Sequence, residues 1–180
     1  MQDGPGNPIG LSSKRLVFII LLGWFSMLGF DLFQNAGLFA KLLLDSKSSL
    51  LPPEQLFRRI PMGYLAFFLV TILLTWLQAK AQTYGWKRGV VFGLKFGLLS
   101  QAALAFGTYS GFPVPIPLLF AWFIGGTVQC CIASGVIGSG LGGAHLGRLS
   151  AKVGLFVLVM VAATMVLQGL GIAPVMQGVR

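Results

Sequence analysis

The sequence predicts an all-α, polytopic integral membrane protein with about five transmembrane helices in a small bundle. The 180 residues are 56% hydrophobic and 9% charged, whereas about a quarter of the residues in soluble domains are charged. No Asp, Glu, Lys or Arg occurs in the 52 residues from Phe96 to Gly147. As one helix this stretch would be roughly 78 Å long, so the Gly/Pro cluster at 107–117 must divide it into two spans of a ~30 Å hydrocarbon core.

Five apolar segments reach the length of about 20 residues that a bilayer span requires. The first follows the basic pair Lys14-Arg15 and resembles a secretory signal without a convincing cleavage site, so we interpret it as an uncleaved signal-anchor. Residues 1–15, which are rich in small and polar residues, are expected to form a flexible leader. The predicted spans of the single transmembrane domain 16–180 are about 16–44, 60–79, 89–106, 115–142 and 153–172.

The chain between the first two spans has a distinct pattern. From Asp31 to Asp45, polar residues recur at helical spacing on one side and Leu, Phe and Ala cover the other, which predicts an amphipathic helix leaving the membrane. The Ser- and Pro-containing segment 46–53 ends this helix. Pro61 suits the first turn of the second span, and Pro174 follows the fifth.

Basic residues at the span ends predict the orientation. Seven lie on one side of the predicted bundle and four on the other, so the positive-inside rule makes the first side cytoplasmic. We therefore expect a cytoplasmic N-terminus and an outside C-terminus, in a bacterial-type plasma (inner) membrane. This placement also accounts for the net charge of +9 without a nucleic-acid partner. The seven are Lys14, Arg15, Lys80, Lys87, Arg88, Arg148 and Lys152, and the four are Lys47, Arg58, Arg59 and Arg180.

Small residues at four-residue intervals mark one face of the third span and one face of the fourth. Such faces let two helix backbones approach closely, which favours association in lipid. We expect these two spans to pack against each other, or one of the two faces to contact a different subunit. The residues are Gly89, Gly93 and Gly97 in the third span and Gly126, Cys130, Ser134, Gly138 and Gly142 in the fourth.

A few polar residues fall within the predicted spans. Lys95 lies ~9 Å into the third span, where its ammonium group would either extend to the headgroups or face a cavity. Asp31 lies ~22 Å from Leu16, which predicts a solvated or helix-bonded carboxylate near the outer surface. Glutamines at membrane depth usually donate interhelical hydrogen bonds. The candidate intramembrane polar residues are Asp31, Asn35, Lys95, Gln101 and Gln129.

Catalytic and cofactor signatures are weak. The adjacent Cys130 and Cys131 suggest small buried side chains, and neither a disulfide nor a zinc site. His145 is the only histidine, so a single haem or pigment ligand through it is not expected. The string at 138–143 matches G-x-G-x-x-G but follows no strand, so it is not interpreted as a dinucleotide site. No metal or cofactor is predicted, which leaves bound lipid as the candidate ligand.

The favoured function is a non-catalytic integral membrane subunit that packs against and stabilises or assembles a larger complex. The small size, the glycine faces and the scarcity of buried charge support this hypothesis. One alternative is a small transporter or channel component with polar residues lining a path. A membrane-embedded enzyme is a second alternative. The expected partners are membrane lipids and other integral membrane subunits or further copies of the chain.

Overall fold

The computed structural model describes residues 12–46 and 53–174, and within these ranges all regular structure is helical. Five helical stretches are long and apolar enough to span a membrane: Ser13–Leu38, Arg58–Lys80, Trp86–Gly111, Ile116–Leu141 and Leu146–Gly169. The predicted fold class is therefore confirmed. The helices are α1 (Ser13–Phe33), a π-helical segment (Gln34–Leu38), α2 (Ala40–Asp45), α3 (Pro53–Lys80), α4 (Trp86–Gly111), α5 (Ile116–Leu141) and α6 (Leu146–Gly169).

Helices α3 and α4 extend beyond the predicted spans at both ends and α6 at its start, whereas α5 matches its predicted span to within one residue at each end. Helix α4 begins at Trp86 and α6 at Leu146, so their first turns include basic residues. Pro61 lies inside α3 and not at its start. Residues 13–15 of the predicted leader form the first turn of α1, whereas residues 1–11, 47–52 and 175–180 lie outside the described ranges. Hydropathy finds the lipid-facing part of a helix but not the polar turns at its ends.

Helix α5 occupies the centre of the bundle. Half of its most apolar stretch is buried, compared with 33% for the first span and 17% for each of the other three. It contacts α1, α3, α4 and α6, and its contact with α4 is the most extensive between any two described helices. The described part of the bundle is therefore organised around this one helix.

Glycines bring α4 and α5 close together. Gly89, Gly93 and Gly97 are buried in α4. A β-carbon on Gly89 would collide with the backbone oxygen of Ser134, and one on Gly97 would come within 3.0 Å of the Thr127 Cα atom. The backbones are thus too close for a larger residue at these positions.

The small residues of α5 lie on the other side of the same contact. Gly126 is covered by the Gln101 side chain, and Gly138 and Gly142 lie against Gly85, the residue before α4. Both faces predicted from four-residue spacing thus lie in the α4–α5 contact. Cys130 and Ser134 are buried there as well.

Helix α1 packs on another side of α5 and runs antiparallel to it. Ile19 lies against Gly140, and the Arg15 guanidinium donates hydrogen bonds to the backbone oxygens of Gly140 and Ala144, at 3.1 and 2.8 Å. A basic group that binds the last carbonyls of a helix also interacts favourably with its dipole. The start of α1 is thereby fixed to the end of α5.

Helix α6 runs parallel to α1. Gly29 contacts Val157 near the middle of α6, and Gln168 near its end donates a hydrogen bond to the backbone oxygen of Ala36, at 3.1 Å. The beginning of α1 and the end of α6 therefore lie at opposite ends of the bundle. The end formed by the starts of α1, α4 and α6 and the ends of α3 and α5 is called the basic end below, because it carries Lys14, Arg15, Lys80, Lys87, Arg88, Arg148 and Lys152.

The close contact predicts opposite effects for two glycines of α4. Gly93→Ala should lower the free energy of unfolding by about 1–3 kcal/mol, because the added methyl group overpacks the α4–α5 contact. Gly107 has open space around it, so Gly107→Ala should have no effect or stabilise the protein by up to about 1 kcal/mol through helix propensity. Thermal unfolding in detergent micelles would measure both, and equal effects of the two variants would contradict the packing argument.

Candidate functional site

Five carboxyl or amide side chains, from the first span, α4 and α5, line a cavity of about 460 Å³ inside the bundle. Helix α1 supplies Asp31, and the π-helical segment that follows it supplies Gln34 and Asn35. Helix α4 supplies Gln101 and α5 supplies Gln129. Helix α3 contributes an apolar wall. The remaining lining residues are Met27, Ala66, Phe67, Val70, Leu104, Ala105, Thr108, Leu119, Trp122, Phe123, Gly126 and Cys130.

The π-helical segment shapes the part of the site that comes from the first span. The backbone N–H of Phe39 donates to the backbone oxygen of Gln34, at 2.7 Å, which is the i→i+5 bond of a π turn. Such turns insert an extra residue into a helix and are frequent at functional sites. Here the π-helical segment begins three residues after Asp31 and carries Gln34, whose side chain lies against Gly125 of α5.

The Asp31 carboxylate is held by neutral amides. Asn35 Nδ2 donates to Asp31 Oδ1 at 2.8 Å, and Gln129 Nε2 donates to the same oxygen at 3.2 Å. Among the described residues that line the cavity, none is Lys or Arg, so amide dipoles and not an opposite charge stabilise the carboxylate.

One acceptor at the site is left unsatisfied. Gln34 is 4% exposed, and its Oε1 atom has no hydrogen-bond partner among the described residues. A buried polar atom without a partner costs about 1–3 kcal/mol. It therefore marks a position where a water molecule or a cation would find an oxygen ligand.

Two consecutive glycines of α5 make room for the amides. A β-carbon on Gly125 would collide with the Gln34 side chain, and one on Gly126 would come within 2.5 Å of the Gln101 Cδ atom. The two amide side chains thus lie directly on the α5 backbone, one from the α1 side and one from the α4 side.

The cavity is bounded on one side by two helices, α3 and α4, that pack loosely against each other. Helices α3 and α4 both line it but contact each other at only a few positions. The polar site is therefore enclosed by α1 and α5 and open between α3 and α4.

The structure brings together four of the five polar candidates and leaves out the fifth. Asp31, Asn35, Gln101 and Gln129 line the cavity, whereas Lys95 is exposed on the outside of α4 and does not. Asp31 was expected near the outer surface as a solvated or helix-bonded carboxylate. It is partly buried and accepts hydrogen bonds both from Asn35, four residues along the same helical stretch, and from Gln129 near the middle of α5. Its depth in a bilayer stays a prediction.

Sequence reasoning missed two glutamines. Gln34 shares a helix face with Asp31 and Asn35, and this spacing was the available signal. Gln78 is fully buried in α3, and neither atom of its amide has a hydrogen-bond partner among the described residues. Its position in a charge-free span could have marked it as a second buried amide.

The thiols and the histidine form no cluster in the described part of the chain. Cys130 and Cys131 are free thiols, and His145 is exposed just before α6. The described residues contain no group of three His, Cys, Asp or Glu side chains placed to hold a metal ion. Comparison of the chain with protein-family models, with curated proteins and with solved structures finds no match.

The hydrogen bond between Asp31 and Gln129 predicts measurable coupling. Gln129→Leu should lower the free energy of unfolding in micelles. In an Asp31→Leu background this loss should be smaller by about 0.6–1.7 kcal/mol, which is the range measured for hydrogen bonds between membrane helices. Gln168→Leu is the matched control because Gln168 donates to the Ala36 backbone and not to Asp31. Its effect should be the same in both backgrounds, and no coupling for Gln129 would show that the bond contributes nothing.

Proposed function

We propose that this integral membrane protein binds a proton or a small monovalent cation at Asp31, as a transporter or channel component. The observation that carries this proposal is a carboxylate on a membrane-spanning helix that lines a cavity and, among the described residues, is bonded to amides only. Acidic groups within spans are costly and usually mark ion or proton pathways. The structure thus favours a hypothesis that the sequence ranked second.

The chemistry of the cavity suits a cation. The carboxylate is anionic, and proton or cation binding would neutralise it in the low dielectric of the bundle. The amides that donate N–H groups to Asp31 also carry oxygens, and the Gln34 oxygen has no partner among the described residues. Carboxylate and amide oxygens are the ligands that hard cations prefer. A cavity of about 460 Å³ also has room for several waters.

Orientation and location follow as part of the same proposal. The gathering of seven basic residues at one end of the bundle supports a cytoplasmic basic end. Trp76 at that end lies 5.8 Å from the Lys80 Nζ atom, a pairing suited to the headgroup region. A bacterial-type plasma membrane suits this charge distribution, with the N-terminus inside and the C-terminus outside.

Cation binding predicts that flux depends on Asp31. In proteoliposomes, Asp31→Asn should abolish protein-dependent flux of H⁺, Na⁺ or K⁺, because the amide can neither take up a proton nor balance a cation. Asp45→Asn makes the same chemical change at an exposed residue beyond the cavity and should leave flux unchanged. The measurement uses a pH-sensitive dye and cation-selective indicators inside the vesicles.

Two results would contradict the proposal. One is wild-type protein that carries none of the three ions above the level of empty liposomes. The other is an Asp31→Asn variant that folds and carries them at the wild-type rate.

A second candidate is the non-catalytic subunit, which the open side of the cavity favours. Hydrocarbon cannot hydrogen-bond polar groups, so a polar cavity between α3 and α4 would be better covered by a helix of another protein. Gly107 and Gly111 lie on α4 beside the cavity-lining Thr108, and a β-carbon on either glycine would have no neighbour from another described helix within 4 Å. Small residues of this kind admit a second helix closely.

The subunit candidate predicts a stoichiometric partner in mild detergent. Gly107→Leu together with Gly111→Leu should release that partner, because the larger side chains would hold its helix away. Gly154→Leu is the control, since Gly154 also has open space but lies on α6, and it should leave the complex intact. This candidate would be contradicted if the chain purified without a partner, or if Gly154→Leu released the partner to the same extent as the double variant.

A further inference from the structure

A second cavity, of about 700 Å³, lies at the basic end between α4, α5 and α6, and Ser26 of α1 also lines it. It is separate from the Asp31 site, whose lining it does not share. Its mouth carries His145, Arg148 and Lys152, all exposed. Its deeper walls are largely apolar.

Helix α6 changes from cationic to apolar along the face that lines this cavity. Arg148 and Lys152, one turn apart, come first, and Val153 and Phe156 follow deeper in the bundle. The distance from Arg148 to Phe156 along the helix is roughly 12 Å. This order matches a lipid, with its charged headgroup at the membrane surface and its acyl chain below.

Helix α5 repeats the same order on the opposite wall. Ser139 lines the cavity near the basic end, and Val136 and Ile132 line it deeper. The Trp86 ring, at the start of α4, lies against Gly135 and closes one side. Tryptophan favours the headgroup level of a bilayer. On both α5 and α6, therefore, the residues that line the cavity are polar at the basic end and apolar deeper in the bundle.

The cations at this cavity lack acidic partners in the described part of the chain. The acidic residues there are Asp31, in the other cavity, Asp45, at the end of α2, and Glu54, at the start of α3. All three belong to segments away from the basic end. The first turn of α6 also has no side-chain cap, so its positive dipole end faces the same mouth.

From this arrangement we propose that the cavity binds one anionic glycerophospholipid. Arg148 and Lys152 contact the phosphate headgroup, and one acyl chain lies between Ile132 and Val136 of α5 and Val153 and Phe156 of α6. The two cations at the mouth favour an anionic ligand. The apolar walls below them favour a lipid over a free phosphate, because only a lipid has an acyl chain to bury there. The site thus joins α5 to the start of α6, which contact each other little.

The test is native mass spectrometry of the full chain released from micelles with defined lipids. Phosphatidylglycerol should bind more tightly than phosphatidylcholine with the same acyl chains. Arg148→Gln with Lys152→Gln should weaken phosphatidylglycerol binding about 30-fold, which corresponds to about 1 kcal/mol for each removed charge. Binding of phosphatidylcholine should change little.

A matched control removes the same charge at the same end of the bundle. Lys87→Gln with Arg88→Gln changes two exposed residues at the start of α4 that do not line the cavity, so the preference for phosphatidylglycerol should persist. Ile132→Trp, which narrows the apolar part without changing charge, should weaken binding of phosphatidylglycerol but leave thermal unfolding of the lipid-free protein nearly unchanged.

Three outcomes would overturn the proposal. An equal loss of phosphatidylglycerol affinity in the cavity double variant and in the control double variant would show a general effect of surface charge. Glycerol phosphate competing as well as the intact lipid would show that the acyl chain is not bound. Unchanged lipid binding in Ile132→Trp, with the protein folded, would exclude the apolar part of the cavity as the acyl-chain site.

Discussion

The close approach of other helices to the α5 backbone is the constraint on which the rest of this structure depends. Lipid tails are as apolar as Leu, so helices in a membrane gain from backbone proximity and not from exclusion of water. Helix α5 offers small residues on two sides: Gly138 against the start of α4, and Gly140 against Ile19 of α1. These contacts fix the register of three helices at the basic end.

The same register produces the polar site farther along α5. Gly125 and Gly126 are adjacent, so they lie on different sides of the helix, and each is covered by a glutamine from a different neighbour. Gln34 approaches from the first span and Gln101 from α4. Gln129, one turn later, reaches Asp31. The packing of α5 and the polar lining of the cavity therefore depend on each other, because larger residues at 125 and 126 would displace two of the amides that line the cavity.

Sequence reasoning predicted the number of spans and the contact between α4 and α5, because hydropathy and four-residue spacing are local signals. The depth of Asp31 in a bilayer stays a prediction. Its partner Gln129, near the middle of α5, could not be identified from the sequence, because hydropathy and spacing do not give contacts between distant residues. Lys95 was grouped with the other candidate intramembrane polar residues because a sequence indicates how far along a span a residue lies but not which side of the bundle it faces.

The two functional proposals answer one electrostatic problem. A carboxylate in a cavity lined by neutral groups must be neutralised by a bound proton or cation, or shielded from lipid by another helix. Amide dipoles alone lower the cost of the charge without removing it, and Gln34 still has an oxygen without a partner among the described residues. A covering helix would act on the open side between α3 and α4, whereas a cation would bind at Asp31 itself. The covering helix changes the exposure of the cavity to lipid, whereas the cation changes the charge of the site, so both proposals can hold for the same protein.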